Sequence, residues 1–131
     1  MARKKDEAAR VAKLCVRIAD DKKGEHTVVL RMTELIALTD YFVITNGTNP
    51  RQVQAVCDGI VLAMKELKAP CLGVEGYEEA RWVLLDYGDV VVHVFDRPTR
   101  EFYDLEHLWA DAKRVRWRKT PRPVVKKGRK P

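Results

Sequence analysis

The sequence predicts an α/β domain built on a mixed five-stranded sheet flanked by helices. Two observations carry the prediction. A helical pattern over 50–67 stands between strand-like runs, which suits a parallel crossover, and a hairpin signal over 82–95 demands an antiparallel pair. A mixed sheet accommodates both. The 131 residues allow one domain with a real hydrophobic core and a tail. The domain is expected over residues 1–112 and the tail over 113–131.

The elements follow in order. Residues 6–21 read as a helix, because Val11, Leu14, Cys15 and Ile18 fall at i, i+3, i+4 and i+7. Asp6 and Glu7 would sit in its first turn, where the helix dipole favours acids. Gly24 suits a stop. Residues 27–32 form a strand candidate. Residues 41–45 are a continuous apolar run ending at Asn46-Gly47, as expected of a central strand buried on both faces. Asn49 as N-cap, Pro50 at the first helical position and Gln52 three residues on start the next helix. Val53, Val56, Cys57, Ile60, Met64 and Leu67 give it one apolar stripe, and Pro70 limits it. Residues 71–74 suit a short strand, and the acidic stretch 75–79 leads into the hairpin. After Pro98, Leu105, Leu108 and Trp109 suggest a short last helix.

The hairpin carries the most information. With Tyr87-Gly88 as its loop, position 86 pairs with 89, 84 with 91 and 82 with 93. One face then holds Val83, Leu85, Val90, Val92 and Val94, purely apolar and suited to a core. The other holds Trp82, Leu84, Asp86, Asp89, Val91 and His93, a mixed aromatic and acidic set suited to a partner. This register puts Asp86 opposite Asp89, which is unfavourable. A three-residue loop would instead move the valines to the Trp82 side.

Composition excludes several classes. Hydrophobic residues make up 46% and charged residues 34%, ordinary for a globular domain, and no apolar run approaches 18 residues. No membrane association is expected, and without a secretory h-region near Met1 the expected setting is cytoplasmic. Cys15, Cys57 and Cys71 have no Cys-x-x-Cys spacing and read as reduced core thiols. His26, His93 and His107 are scattered, so neither a metal nor another cofactor is expected. The net charge of +6 hides an asymmetry. Residues 113–131 hold ten Lys or Arg and no acid, while the remainder has fifteen basic against nineteen acidic residues, a net of −4. An acidic body suits a basic protein and a basic tail suits phosphate; the ribosome offers both at close range.

Ordered motifs sharpen this. They are Asp40-Tyr41-Phe42-Val43-Ile44 with Gly47; Arg51-Gln52-Val53 with Ala55; Glu75-Gly76; Trp82-x-Leu84-x-Asp86-x-Gly88-Asp89; Val92-His93-Val94-Phe95; and Arg100-x-x-Tyr103-x-Leu105-Glu106-x-Leu108-Trp109. Over roughly residues 6–112 the chain resembles the ribosomal silencing factor family, also called Iojap or RsfS. The resemblance implies a nucleotidyltransferase-like α/β fold without enzymatic activity. It implies binding to the large-subunit ribosomal protein numbered fourteen on the subunit-joining face, where the small subunit is blocked and translation falls under nutrient limitation. The basic tail is outside the motifs that carry the match.

The expected partner-binding residues are Trp82, Leu84, Asp86, Asp89, Glu75, Arg100 and Tyr103. Trp82 would be the anchor, since tryptophan is enriched at interface hot spots; the competing role is a core tryptophan. Asp86, Asp89 and Glu75 would form an acidic rim, with turn chemistry beside Gly88 as the alternative for the two aspartates. Arg100 and Tyr103 would reach the partner or tie the C-terminal segment to the sheet. In the tail, Arg114, Arg116, Trp117, Arg118 and Lys119 would neutralise and stack on ribosomal RNA, or belong to a solubilising extension. Two further functions compete. Nucleotidyltransferase chemistry finds Gly47-Thr48 before a helix but no closely spaced carboxylate pair on a strand to hold two metals. General RNA binding would act through the tail. The exposed hairpin face also suits a homodimer when no ribosome is present.

Overall fold

A computed structural model describes residues 2–117. The chain runs α1 (Ala2–Asp21), β1 (Glu25–Arg31), β2 (Tyr41–Gly47), α2 (Pro50–Glu66), β3 (Gly73–Glu75), β4 (Trp82–Asp86), β5 (Val90–Asp96), α3 (Arg97–Tyr103), α4 (Leu105–Leu108) and β6 (Lys113–Arg114). The strands form one mixed sheet in the order β3-β4-β5-β2-β1-β6. Only β2 and β5 pair in parallel, with Tyr41 opposite Val90 and Gly47 opposite Asp96; the other pairs are antiparallel. The sheet therefore has six strands, not five. The sixth is a two-residue edge strand of charged residues, a composition with no apolar alternation to announce it.

Each face of the sheet has its own core. On one face α1 and α2 bury Ala12, Cys15, Val16, Val53, Val56, Cys57 and Ile60 against Val29, Val43, Val83, Leu85, Val92 and Val94. On the other, Leu30, Met32, Ile44, Phe95 and Leu105 form a smaller cluster, flanked by Ile36, Phe42, Trp82 and Trp109. β2 lies at the centre and is fully buried from Val43 to Gly47.

The helix signals act as their chemistry requires. The Asn49 side chain accepts from the Gln52 N–H at 2.9 Å, and the Gln52 side chain accepts from the Thr48 N–H at 2.7 Å. The reciprocal bond of the capping box lands one residue early. These side chains close the turn at Gly47-Thr48 as a helix cap. At α1 the helix begins at Ala2, so its first turn carries no acid and the dipole argument from Asp6 and Glu7 does not apply. Asn46 does not end its strand; it lies buried within β2. Cys15 and Cys57 are buried, and desolvation pushes both thiols up to about 12. Cys71 is exposed, contrary to the expected core position, because it stands before the edge strand β3.

The boundary at 112 also moves. Arg31 pairs with Lys113 and Leu30 with Arg114, so the first residues of the expected tail are part of the sheet.

Candidate partner-binding surface

The hairpin pairs Trp82 with Phe95, Leu84 with His93 and Asp86 with Val91, so its loop is Gly88-Asp89 rather than Tyr87-Gly88. The register slips by two residues from the expected one. An even slip keeps every side chain on its face, so Val83, Leu85, Val92 and Val94 still point to the helices. The slip also removes the clash of charges, because Asp86 no longer faces Asp89. Asp86 accepts from the Gly88 N–H at 2.9 Å, and Gly88 supplies the positive φ of 84° that the turn requires. Asp89 is exposed, and its carbonyl accepts from the N–H groups of Asp40 and Tyr41 at 2.9 and 3.0 Å, tying the turn to β2.

Pairing across the sheet sets out the second face in rows. Glu75, Leu84, His93 and Ile44 form one; Gly73, Asp86, Val91 and Phe42 form the next. Glu75 is exposed, while Trp82, Leu84, Asp86 and Val91 are half-buried. Glu75 reaches this row because of its neighbour: Gly76 has φ +82°, and a Cβ there would collide with the Trp82 carbonyl oxygen.

Trp82 stands where the open half of the face meets the covered half. Its ring centroid lies 5.0 Å from that of Phe95 and 4.7 Å from that of Tyr103. Its Nε1 donates to His93 Nδ1 at 3.1 Å. Trp82 is thus neither a fully buried core residue nor a free one, but a partly exposed ring held by neighbours. Tyr103, 48% exposed, extends the aromatic surface, and Phe102, 79% exposed, packs edge-on to it at 4.9 Å. Phe102 was not among the expected contact residues. Its exposure follows from α3 ending at Asp104, whose φ of 46° turns the chain.

His93 is buried under this cluster. Because Nδ1 accepts from Trp82, the neutral ring carries its proton on Nε2, and desolvation lowers its pKa to about 4 from the ordinary 6.5. The unfolded chain takes up a proton between those values that the fold refuses. Stability is therefore full above about pH 6.5 and falls as pH drops toward 4, by up to about 3 kcal/mol. Denaturation of wild type and His93→Gln across this range should show the loss in the first and a flatter dependence in the second. Parallel curves would show that His93 is not the group responsible.

Arg100 is placed differently from the other expected contact residues. It is 9% exposed, and its five N–H groups are all used within the chain. Nε and Nη2 donate to Glu106 at 3.2 and 2.8 Å, Nη1 to Asn46 Oδ1 at 2.8 Å and the Glu25 carbonyl at 3.2 Å, and Nη2 to the His26 carbonyl at 2.8 Å. Glu25 also accepts from Asn46 at 2.9 Å and is paired with Arg97, which holds its carboxyl below the usual range. Of its two expected roles, Arg100 thus fills the tie to the sheet: it is a strut between α3, α4 and the β1–β2 end, with its donors turned inward. Glu25, His26 and Asn46 were missed as its partners; no local pattern links residues so far apart in sequence.

The chain matches the family described as "Ribosomal silencing factor during starvation" over residues 5–130. It is 45% identical over 102 residues to the ribosomal silencing factor RsfS of Halalkalibacterium halodurans, covering 78% of this chain and 87% of that protein. With the Bacillus subtilis RsfS it shares 42% over 102 residues, covering 78% and 86%. A crystal structure from Chromobacterium violaceum superposes with a TM-score of 0.76 at 35% identity, covering 78% of this chain and 85% of that one. The chain belongs to the ribosomal silencing factor family. The family supports a ribosome-associated role in regulating translation.

Within the silencing-factor domain the motif residues divide into two physical groups. Trp82, Leu84, Asp86, Asp89, Glu75 and Tyr103 are partly or fully exposed. Phe95, Arg100, Leu105 and Glu106 support them from within. The family match runs through the basic segment that the motifs left out. Of the expected RNA-binding residues, Arg114 and Arg116 are exposed. Trp117 instead packs on the helix-side core and donates through Nε1 to the Thr27 carbonyl at 3.2 Å, so its ring is not a free stacking platform. Arg118 and Lys119 lie outside the described residues.

Proposed function

We propose that this silencing factor docks on the large ribosomal subunit through the open half of its sheet. Trp82, Leu84 and Tyr103 are the apolar centre, and Glu75, Asp86 and Asp89 the acidic rim. The partner is a basic large-subunit protein, the one numbered fourteen, at the subunit-joining surface. Bound there, the factor stands in the way of the small subunit and represses translation when nutrients are short. It works in the cytoplasm and by occupancy, not catalysis, so the nucleotidyltransferase-like architecture is a likeness of fold alone. Away from the ribosome the same surface is open to a second copy of the chain.

The observation that carries this reading is the sheet face itself. An exposed patch that joins a tryptophan, a tyrosine and a leucine to carboxylates has the composition of an interface centre and its rim. The acidic rim suits a basic partner and steers encounter with it. The test is co-sedimentation of the full chain with purified subunits, combined with a subunit-joining assay. Co-migration with the large subunit and loss of joined ribosomes are expected. Migration with the small subunit, or joining unaffected at saturation, would defeat the reading.

A further inference from the structure

The two edges of the sheet differ in character. On the β6 edge the chain stays extended beyond the strand itself. The Val115 N–H donates to the Val29 carbonyl at 2.8 Å, and Trp117 Nε1 reaches the Thr27 carbonyl at 3.2 Å. Val115 and Trp117 pack on the helix-side core, so alternation along an extended chain turns Arg114 and Arg116 to the opposite side. Both are exposed, as are Lys113 and the Arg31 it pairs with. Two-residue spacing puts Arg114 and Arg116 about 6.6 Å apart, a separation comparable with that between neighbouring phosphates on an extended nucleic-acid strand.

The charge of the edge segment itself is one-sided. Residues 113–117 contain no acid, and residues 118–131 add seven Lys or Arg and again no acid. The hollow beside Arg114, about 620 Å³, contains Arg97, Arg100 and His26 as well as Glu101, Asp104 and Glu106. Of these acids, Glu106 is committed to Arg100, and Asp104 lies 3.7 Å from His107. Asp20 lines the second hollow, on the other side of the segment. His26 lines both hollows and is aimed there by a φ of 49° in the bulge between Glu25 and Val28.

We propose that the β1–β6 edge is a docking edge for the RNA sugar–phosphate backbone, in which Arg114 and Arg116, on one face of the edge, take successive phosphates and Trp117 rivets them in line. Two cations fixed at two-residue spacing along an extended chain, with further basic residues following in sequence, match a linear polyanion better than a folded acidic protein, whose carboxylates are scattered. Trp117 acts here through hydrophobic packing and one hydrogen bond, not by stacking on bases. The edge lies four strands from β4, about 19 Å across the sheet. Protein and RNA contacts would therefore occupy separate surfaces.

The test uses the full chain, a fluorescein-labelled oligouridine and anisotropy across a salt series. Arg114→Gln with Arg116→Gln removes both charges while keeping a polar side chain at these exposed positions, and should leave the melting temperature near wild type. The magnitude of the log–log salt slope should fall by about 1.4, two contacts at about 0.7 each on a single strand. Arg116→Gln alone, which lies beyond the paired residues of β6, should give about half that change. Trp82→Glu should leave RNA binding unaltered, which separates this proposal from the protein surface. A wild-type slope and affinity in the double variant would overturn it and assign RNA binding to residues 118–131 alone. Equal binding of polyglutamate at matched charge would overturn the choice of RNA.

Discussion

Trp82→Glu should abolish detectable binding to the large subunit. Truncating an aromatic hot spot costs about 2–4 kcal/mol, which is roughly 30- to 1000-fold in Kd, and a carboxylate left in a desolvated interface adds to that. The variant should also melt at a lower temperature. The indole loses its ring contacts with Phe95 and Tyr103, and His93 Nδ1 loses its donor. Those losses amount to about 2–3 kcal/mol, within the stability of an ordinary domain. Circular dichroism should therefore still report a folded protein at low temperature, where the binding assay is run. A folded variant that binds normally would remove Trp82 from the interface. If the variant unfolds, Leu84→Glu decides the matter. Leu84 is half-buried on the same face, and its replacement should abolish binding with a smaller loss of stability.

The largest effect on stability should come from Arg100→Ala. The substitution strands the Glu106 carboxylate, the Asn46 side chain and two carbonyl oxygens that now share one guanidinium. Breaking a buried pair from one side costs about 3–5 kcal/mol, and the partial exposure of Glu106 argues for the lower end. The urea midpoint should fall by the corresponding amount with little change in slope. Arg100→Lys should rescue only part of it, because an ammonium cannot fork to five acceptors in fixed directions. A loss below about 1 kcal/mol would mean that α3 and α4 are held by Leu105 and Trp109 alone.

The sequence was most legible where local chemistry decides the outcome. The Asn49 cap, the stripe of α2 from Val53 to Met64 and the division of the hairpin faces all follow from short-range patterns, and each has its counterpart in the structure; Leu67, expected to end the stripe, is instead the exposed C-cap. The hairpin shows the limit of that reading. Side-chain alternation fixed the faces, but the loop was placed one residue early, which shifts the pairing register by two. Alternation alone cannot distinguish registers that differ by an even number. The strut around Arg100 was illegible for another reason: it joins Glu25, Asn46 and Arg100 through folded geometry, with no period to connect them. β6 was hidden by its own composition. Lys113 and Arg114 look like the start of a charged extension, and only the pairing with β1 makes them a strand. The structure gathers the expected aromatic and acidic residues on one partly exposed face, and of the two roles open to Arg100 it shows the internal one, the tie between the C-terminal segment and the sheet.

One strand, β5, carries a consequence for how this protein is made and inherited. It pairs with β4 to form the hairpin proposed as the docking surface, and with β2 to close the centre of the sheet. A nascent chain that has not reached Val90 therefore has neither, and β2 waits with an unpaired edge. No truncated product can keep the body of the fold while shedding the recognition surface. A lineage that relaxes the surface can do so only through side chains, one position at a time. A single-residue insertion in the Gly88-Asp89 turn would exchange the inward and outward sets along the strand. β5 contributes none of the proposed contact side chains itself, but by pairing with β4 it holds Trp82, Leu84 and Asp86 in line, so the fold and the proposed surface depend on the same seven-residue segment.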